Sequence, residues 1–193
     1  MKTFLICSYP RSRTLWLSYF LSIPGVCVCE HEATEHAASS AEFWQRAEDV
    51  SGQASVYGNS DSANSFVLPA LLAARPLTKV VWIDRHMSDV LDSMRAAGFN
   101  VNPDQVANMI EAKRAAWPYI DLTLSFKQLR DEDCIEWLWE FLLDVPFDRA
   151  RWLLFKDQKI AYRADTCPAK STDKMEHFLV TETDWRVPAR KEG

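Results

Sequence analysis

Seven consecutive residues, Ser8-Tyr9-Pro10-Arg11-Ser12-Arg13-Thr14, put two guanidinium groups and several hydroxyls into one short connection. An apolar run, Thr3–Cys7, precedes it, and an almost wholly apolar stretch, Thr14–Ser22, follows. A loop between a buried strand and a buried helix leads into backbone N–H groups that have no intrahelical partner, at the positive end of the helix dipole. Phosphate or sulfate is stabilised at such a place. Arg11 and Arg13 add charge there, and Ser12 and Thr14 add hydroxyl donors. The pattern is not the Mg-nucleotide loop GxxxxGK[ST], because it has neither the glycines nor the Gly-Lys pair. Taken by itself it could also be a surface turn that only caps a helix.

A second constellation lies in Val80–Met94. Arg85 ends an apolar strand, and Ser93 stands eight residues on, two turns into the next helix. An arginine at a strand end and a serine on the following helix can converge on another anionic group. The competing reading is a surface network of Arg85 with Asp84, Asp89 or Asp92.

These residues need elements to position them. Strands are expected at Thr3–Cys7, Gly25–Cys29, Ala54–Tyr57, Lys79–Asp84 and Leu122–Phe126. Helices are expected at Thr14–Ser22, 38–50, Ser65–Ala74 with Pro69 near its first turn, Ser88–Ala97 with Ser88 as cap, Asp104–Ala116 and Glu132–Leu143. Alternation of this kind means an α/β fold, parallel strands with helical crossovers, and one domain over residues 1–193. Ligands bind such sheets beyond the carboxyl ends of their strands, here the loops 8–13, 30–36, 58–62 and 84–88. The segment from about Ala161 onward is polar, weakly periodic and unassigned.

Composition narrows the field. The chain has 193 residues, 48% apolar and 25% charged, as an ordinary folded domain has. A net charge of −5 argues against generic nucleic-acid binding and makes locally clustered arginines informative. No stretch approaches the roughly 20 apolar residues of a membrane span. Five cysteines (Cys7, Cys27, Cys29, Cys134, Cys167) show no framework or zinc spacing. Cys27 and Cys29 alternate with valines and read as one face of a buried strand. A reducing cytoplasmic location fits this usage, and no metal site is expected. The eight tryptophans read as core.

With both constellations in view, the sequence resembles the PAPS-dependent sulfotransferases. Their first motif, roughly Tyr-Pro-[Lys/Arg]-Ser-Gly-Thr-Thr-Trp-Leu, is similar to Tyr9-Pro10-Arg11-Ser12-Arg13-Thr14-Leu15-Trp16-Leu17. Their second, a strand-end Arg with Ser eight residues later, is matched by Arg85 and Ser93. A looser likeness runs through Leu124–Leu129 and the helix after it, so the resemblance covers about residues 3–155. It implies a three-layer P-loop-like fold with a central parallel sheet flanked by helices, as in the compact bacterial and phage members. It also implies transfer of a sulfuryl group from PAPS (3′-phosphoadenosine 5′-phosphosulfate) to a hydroxyl or amine of a small-molecule or glycan acceptor. Pro10, Ser12, Arg13 and Thr14 would hold the 5′-phosphosulfate, Arg11 would stabilise charge on the bridging oxygen, and Arg85 and Ser93 would hold the 3′-phosphate. Two departures stand out in the first motif: Arg13 replaces the usual glycine, and Leu15 replaces a threonine. The late Arg-Lys-Gly…Gly-Asp-Trp motif is absent, Asp184-Trp185 lacking the glycine.

The acceptor's proton needs a base within hydrogen-bond reach. No histidine follows the third strand, whose sequence continues Val56-Tyr57-Gly58-Asn59-Ser60-Asp61. Glu32, then His31, then Asp61 are the candidates, the first two just after the second strand. His36, His86 and His177 read as surface or structural. Two other classes stay open: a non-catalytic PAPS/PAP-binding protein, and a nucleotide kinase on a related P-loop fold, which would bind Mg-ATP. The chain is compact for the family, so its acceptor cleft is either open or completed by a second subunit.

Overall fold

The computed structural model describes residues 1–158 and 160. Cys167, His177, Asp184, Trp185 and the rest of the unassigned tail lie outside the described residues. Five strands, β1 (Lys2–Ser8), β2 (Cys27–Glu30), β3 (Val56–Ser60), β4 (Lys79–Asp84) and β5 (Leu122–Ser125), form one sheet in the order β2-β3-β1-β4-β5. Every pairing is parallel. The α/β expectation therefore holds: helices cover both faces of a central parallel sheet, in a three-layer P-loop-like arrangement.

Strand alternation builds two cores. Phe4 and Ile6 of β1, with Val81 and Ile83 of β4, face α1 (Thr14–Leu21), α6 (Glu132–Leu143) and α7 (Arg149–Phe155). Leu5 and Cys7, with Val80 and Trp82, face α2 (Ser40–Ser51), α3 (Asn64–Ala74), α4 (Met87–Ala96) and α5 (Pro103–Ala116). Apolar side chains at successive positions are what a strand buried on both faces requires. Cys27 and Cys29 share the first core as expected, and burial pushes the Cys27 thiol up to about 12.

The connections explain where a ligand can sit. From β1 the chain passes over β3 to β2 with α1 on one face. From β3 it passes back over β1 to β4 with α3 on the other face. Helices change face when the direction of travel reverses, as one-handed crossovers demand. The connections leaving β1 and β4 therefore diverge, and the crevice between their carboxyl ends is the switch point of the sheet.

Four local expectations are corrected. β3 runs through Gly58, Asn59 and Ser60, so its loop starts only at Asp61. Gly58 breaks no strand here; it makes room for Phe4, because a Cβ at that position would collide with the fully buried Phe4 ring. β2 starts at Cys27, since Gly25 takes a positive φ of 72° in the turn before it. Helix α4 is preceded by His86 in extended backbone, and Ser88 bonds the His86 ring (2.8 Å) instead of capping. Pro69 lies in the second turn of α3, and α7 carried no clear sequence signal. Gly58→Ala should cost about 1–3 kcal/mol through overpacking. Urea denaturation measures this, and a loss below 0.5 kcal/mol would show that Phe4 has room to move.

Candidate functional site

The loop from Tyr9 to Arg13 crosses the carboxyl edge of the sheet. Tyr9 belongs to the core: its ring meets Trp82 edge-on at 5.4 Å, with Lys113 Nζ 5.6 Å from its centroid. Beyond Pro10 the backbone leaves ordinary space. Arg11 and Arg13 both have φ of 65°, and Ser12 between them does not. Alternation of this kind turns successive N–H groups to one side, the concavity that binds anions. Arg13 occupies the position just before α1 in left-handed backbone with no side-chain cap. Arg13 thus adopts a backbone conformation that glycine takes most readily. The strain is of order 1–3 kcal/mol per residue.

Three of the four non-glycine residues with positive φ among the described residues are Arg11, Arg13 and Glu32 (61°). All three follow the carboxyl end of β1 or β2. The fourth, Asp144, ends helix α6 in the left-handed cap conformation.

The loop carries buried polar groups beside the crevice. Ser12 is fully buried, and its Oγ finds no hydrogen-bond partner among the described residues. A bare buried hydroxyl costs roughly 1–3 kcal/mol, which an anion over the helix start would relieve. Arg85, one residue past β4, donates from Nη1 to the carbonyl of Arg11. Its guanidinium lies 4.3 Å from the centroid of Phe126, and that of Arg13 lies 5.8 Å from the same ring. Arg13 also packs over Trp16 at 5.2 Å and donates to the Leu129 carbonyl at 3.4 Å. Burial lowers the pKa of all three arginines; Asp89 opposes this at Arg85 while Arg11 adds to it. All three stay protonated at neutral pH.

The second edge of the site is the segment after β2. Glu30 is tied down by Arg46 (2.6 Å) and the Tyr57 hydroxyl (2.9 Å), which sets the direction in which the chain leaves the strand. His31 follows, half-buried, with Nε2 3.2 Å from Thr14 Oγ1 at the first residue of α1. Glu32 Oε1 lies 3.5 Å from the other ring nitrogen. Burial lowers the pKa of His31, opposed by Asp61 and Glu35. Asp61 is 3% exposed; one oxygen accepts from Thr34 Oγ1 (2.8 Å) and the other from the Ala63 N–H (3.0 Å). It braces the start of the β3–α3 loop.

The fold thus brings Arg11, Ser12, Arg13, Thr14, His31, Glu32, Asp61 and Arg85 to one edge. Ser93 is half-buried on α4, and among the described residues its hydroxyl bonds none of them. Sequence reasoning passed over Phe126, the ring shared by two arginines. Its signal was its place, directly after β5 on the strand neighbouring β4.

No protein-family model matches the chain, and no curated protein matches it significantly. Among solved structures, a shikimate kinase from Bacteroides thetaiotaomicron is similar at 14% identity and a TM-score of 0.46. The match covers 75% of this chain and 99% of that one. At that identity and score the likeness says nothing about ligand or reaction.

Proposed function

We propose that this protein is a PAPS-dependent sulfotransferase. The observation that supports this reading is the bond from Arg85 to the carbonyl of Arg11. It joins the two motifs, 74 residues apart, in one cationic crevice at the switch point of the sheet. The buried Ser12 hydroxyl and the alternating backbone at 11–13 suit an anion between them. PAPS supplies the sulfuryl group. Ser12, Arg13, Thr14 and the first N–H groups of α1 hold its 5′ end, and Arg85 its 3′-phosphate.

Arg11 stabilises negative charge on the oxygen that leaves as the S–O bond breaks, by the positioning and charge compensation that serve phosphoryl transfer. The acceptor proton goes to His31 Nε2: the Glu32 carboxylate at Nδ1 favours the tautomer whose Nε2 is unprotonated, and the acceptor hydroxyl displaces the Thr14 hydroxyl from it. On this reading His31 comes ahead of Glu32 as base, the reverse of the order expected from the sequence, and Asp61 is a brace.

Titration calorimetry with PAP and with Mg-ATP tests the nucleotide. PAP binding is expected; tight Mg-ATP binding with none for PAP would sink the proposal and favour a kinase. Detectable sulfation of any hydroxyl or amine acceptor separates an enzyme from a binding protein. Because burial holds His31 below the ordinary imidazole value of about 6.5, it stays neutral, and competent as a base, to lower pH than a free histidine. The acid limb of kcat/KM should therefore be centred below the value of a free histidine. His31→Ala should lose at least about 100-fold in kcat. An acid limb centred above 7, or one unchanged in His31→Ala, would move the base elsewhere.

A further inference from the structure

β5 ends at Ser125, and the chain then turns through Phe126 into one turn of 3-10 helix, Gln128–Arg130, before Asp131 caps α6. Both sides of this turn are fastened to the site. The Phe126 N–H donates to the Asp84 carbonyl (2.7 Å), immediately before Arg85. Leu129 is fully buried, and its carbonyl receives Arg13 Nη1. The position of Arg130 is therefore set relative to Arg13 and Arg85 by backbone contacts, although its own side chain is exposed.

Acids follow Arg130 directly in the chain, yet none pairs with it. Asp131 accepts from the Cys134 N–H (3.2 Å), and Glu132 pairs with Arg149. Among the described residues the Arg130 guanidinium has no carboxylate partner. Its charge also bears on another cation, Arg13, where the repulsion is opposed by Asp157. In a chain of net charge −5, four arginines are thereby gathered at one sheet edge. Like charges so placed repel until a counter-charge arrives.

We propose that Arg130 is a further anion-binding residue of this site, contacting a ligand that carries two separated phosphate or sulfate groups. The inference rests on the sulfotransferase reading and extends it: the turn after β5 becomes a third nucleotide-binding element beside the loops after β1 and β4. A bisphosphate such as PAP has two separated anionic groups to set against this spread of cations.

Calorimetry of PAP with the unsubstituted protein, Arg130→Gln and Arg130→Lys tests it, with thermal unfolding of each. Arg130→Gln should weaken PAP about 5- to 20-fold, less than a buried charged hydrogen bond because solvent screens an exposed pair. Arg130→Lys should keep most of the affinity, and the salt dependence should become shallower in Arg130→Gln only. PAP binding that is unchanged in Arg130→Gln overturns the role of Arg130 and leaves the sulfotransferase reading standing. Equal losses in both variants, with a lowered melting temperature, overturn it in favour of a structural role. Absence of PAP binding by the unsubstituted protein overturns both readings.

Discussion

Arg85→Ala should weaken PAP binding by about 10- to 150-fold, equivalent to roughly 1.5–3 kcal/mol for a hydrogen bond to a charged group. Adenosine 5′-phosphosulfate, which lacks the 3′-phosphate, should lose much less. The contrast matters because Arg85 also holds the loop: its Nη1 donates to the Arg11 carbonyl, while its guanidinium lies over the Phe126 ring. Removal of the loop support alone would harm both nucleotides equally. Equal losses would therefore reject a 3′-phosphate role and make Arg85 a brace for the anion loop.

Trp16→Ala should be the most destabilising single change in the region, at about 3–5 kcal/mol. Trp16 is fully buried on α1, stacked on Phe20 at 4.9 Å and edge-on to Trp152 at 6.1 Å. Its Nε1 donates to the Phe155 carbonyl (2.9 Å), which the substitution would leave without that donor. Since whole domains are stable by only about 5–15 kcal/mol, such a loss brings the protein near unfolding. Trp16→Phe, which keeps much of the ring packing, should cost about half as much and serves as the folded comparator. The same side chain carries the Arg13 guanidinium, so Trp16→Phe should also weaken anion binding a few-fold. Urea denaturation and calorimetry give both values. A loss under 1 kcal/mol in Trp16→Ala would mean that α7 and α6 collapse onto the gap.

How far the sequence carries can be judged at particular places. β4 was legible to the residue, Lys79–Asp84, because it is apolar on both faces and bounded by polar ends. So was α6, capped by Asp131 at one end and closed by Asp144 at the other. β3 was cut short, because Gly58-Asn59-Ser60 has turn composition while its conformation answers to Phe4 on the neighbouring strand. Local propensity cannot register a contact made across a sheet.

The proposal of an anion-binding loop came from the sequence by itself. Two arginines and two hydroxyls between an apolar strand and an apolar helix suit an anion, since the helix start offers unpaired N–H groups at the positive end of its dipole. What tertiary structure decided is how that loop is completed. The strand order puts β4 beside β1, so that Arg85 reaches Arg11, and β5 beside β4, so that Phe126 and Arg130 arrive at the same edge. The Thr14–His31 contact and the ties on Glu30 set which side chain after β2 turns inward. Neither could be read along the chain, because each depends on which strands lie side by side. That is set by the packing of two buried faces, not by any residue's neighbours in sequence.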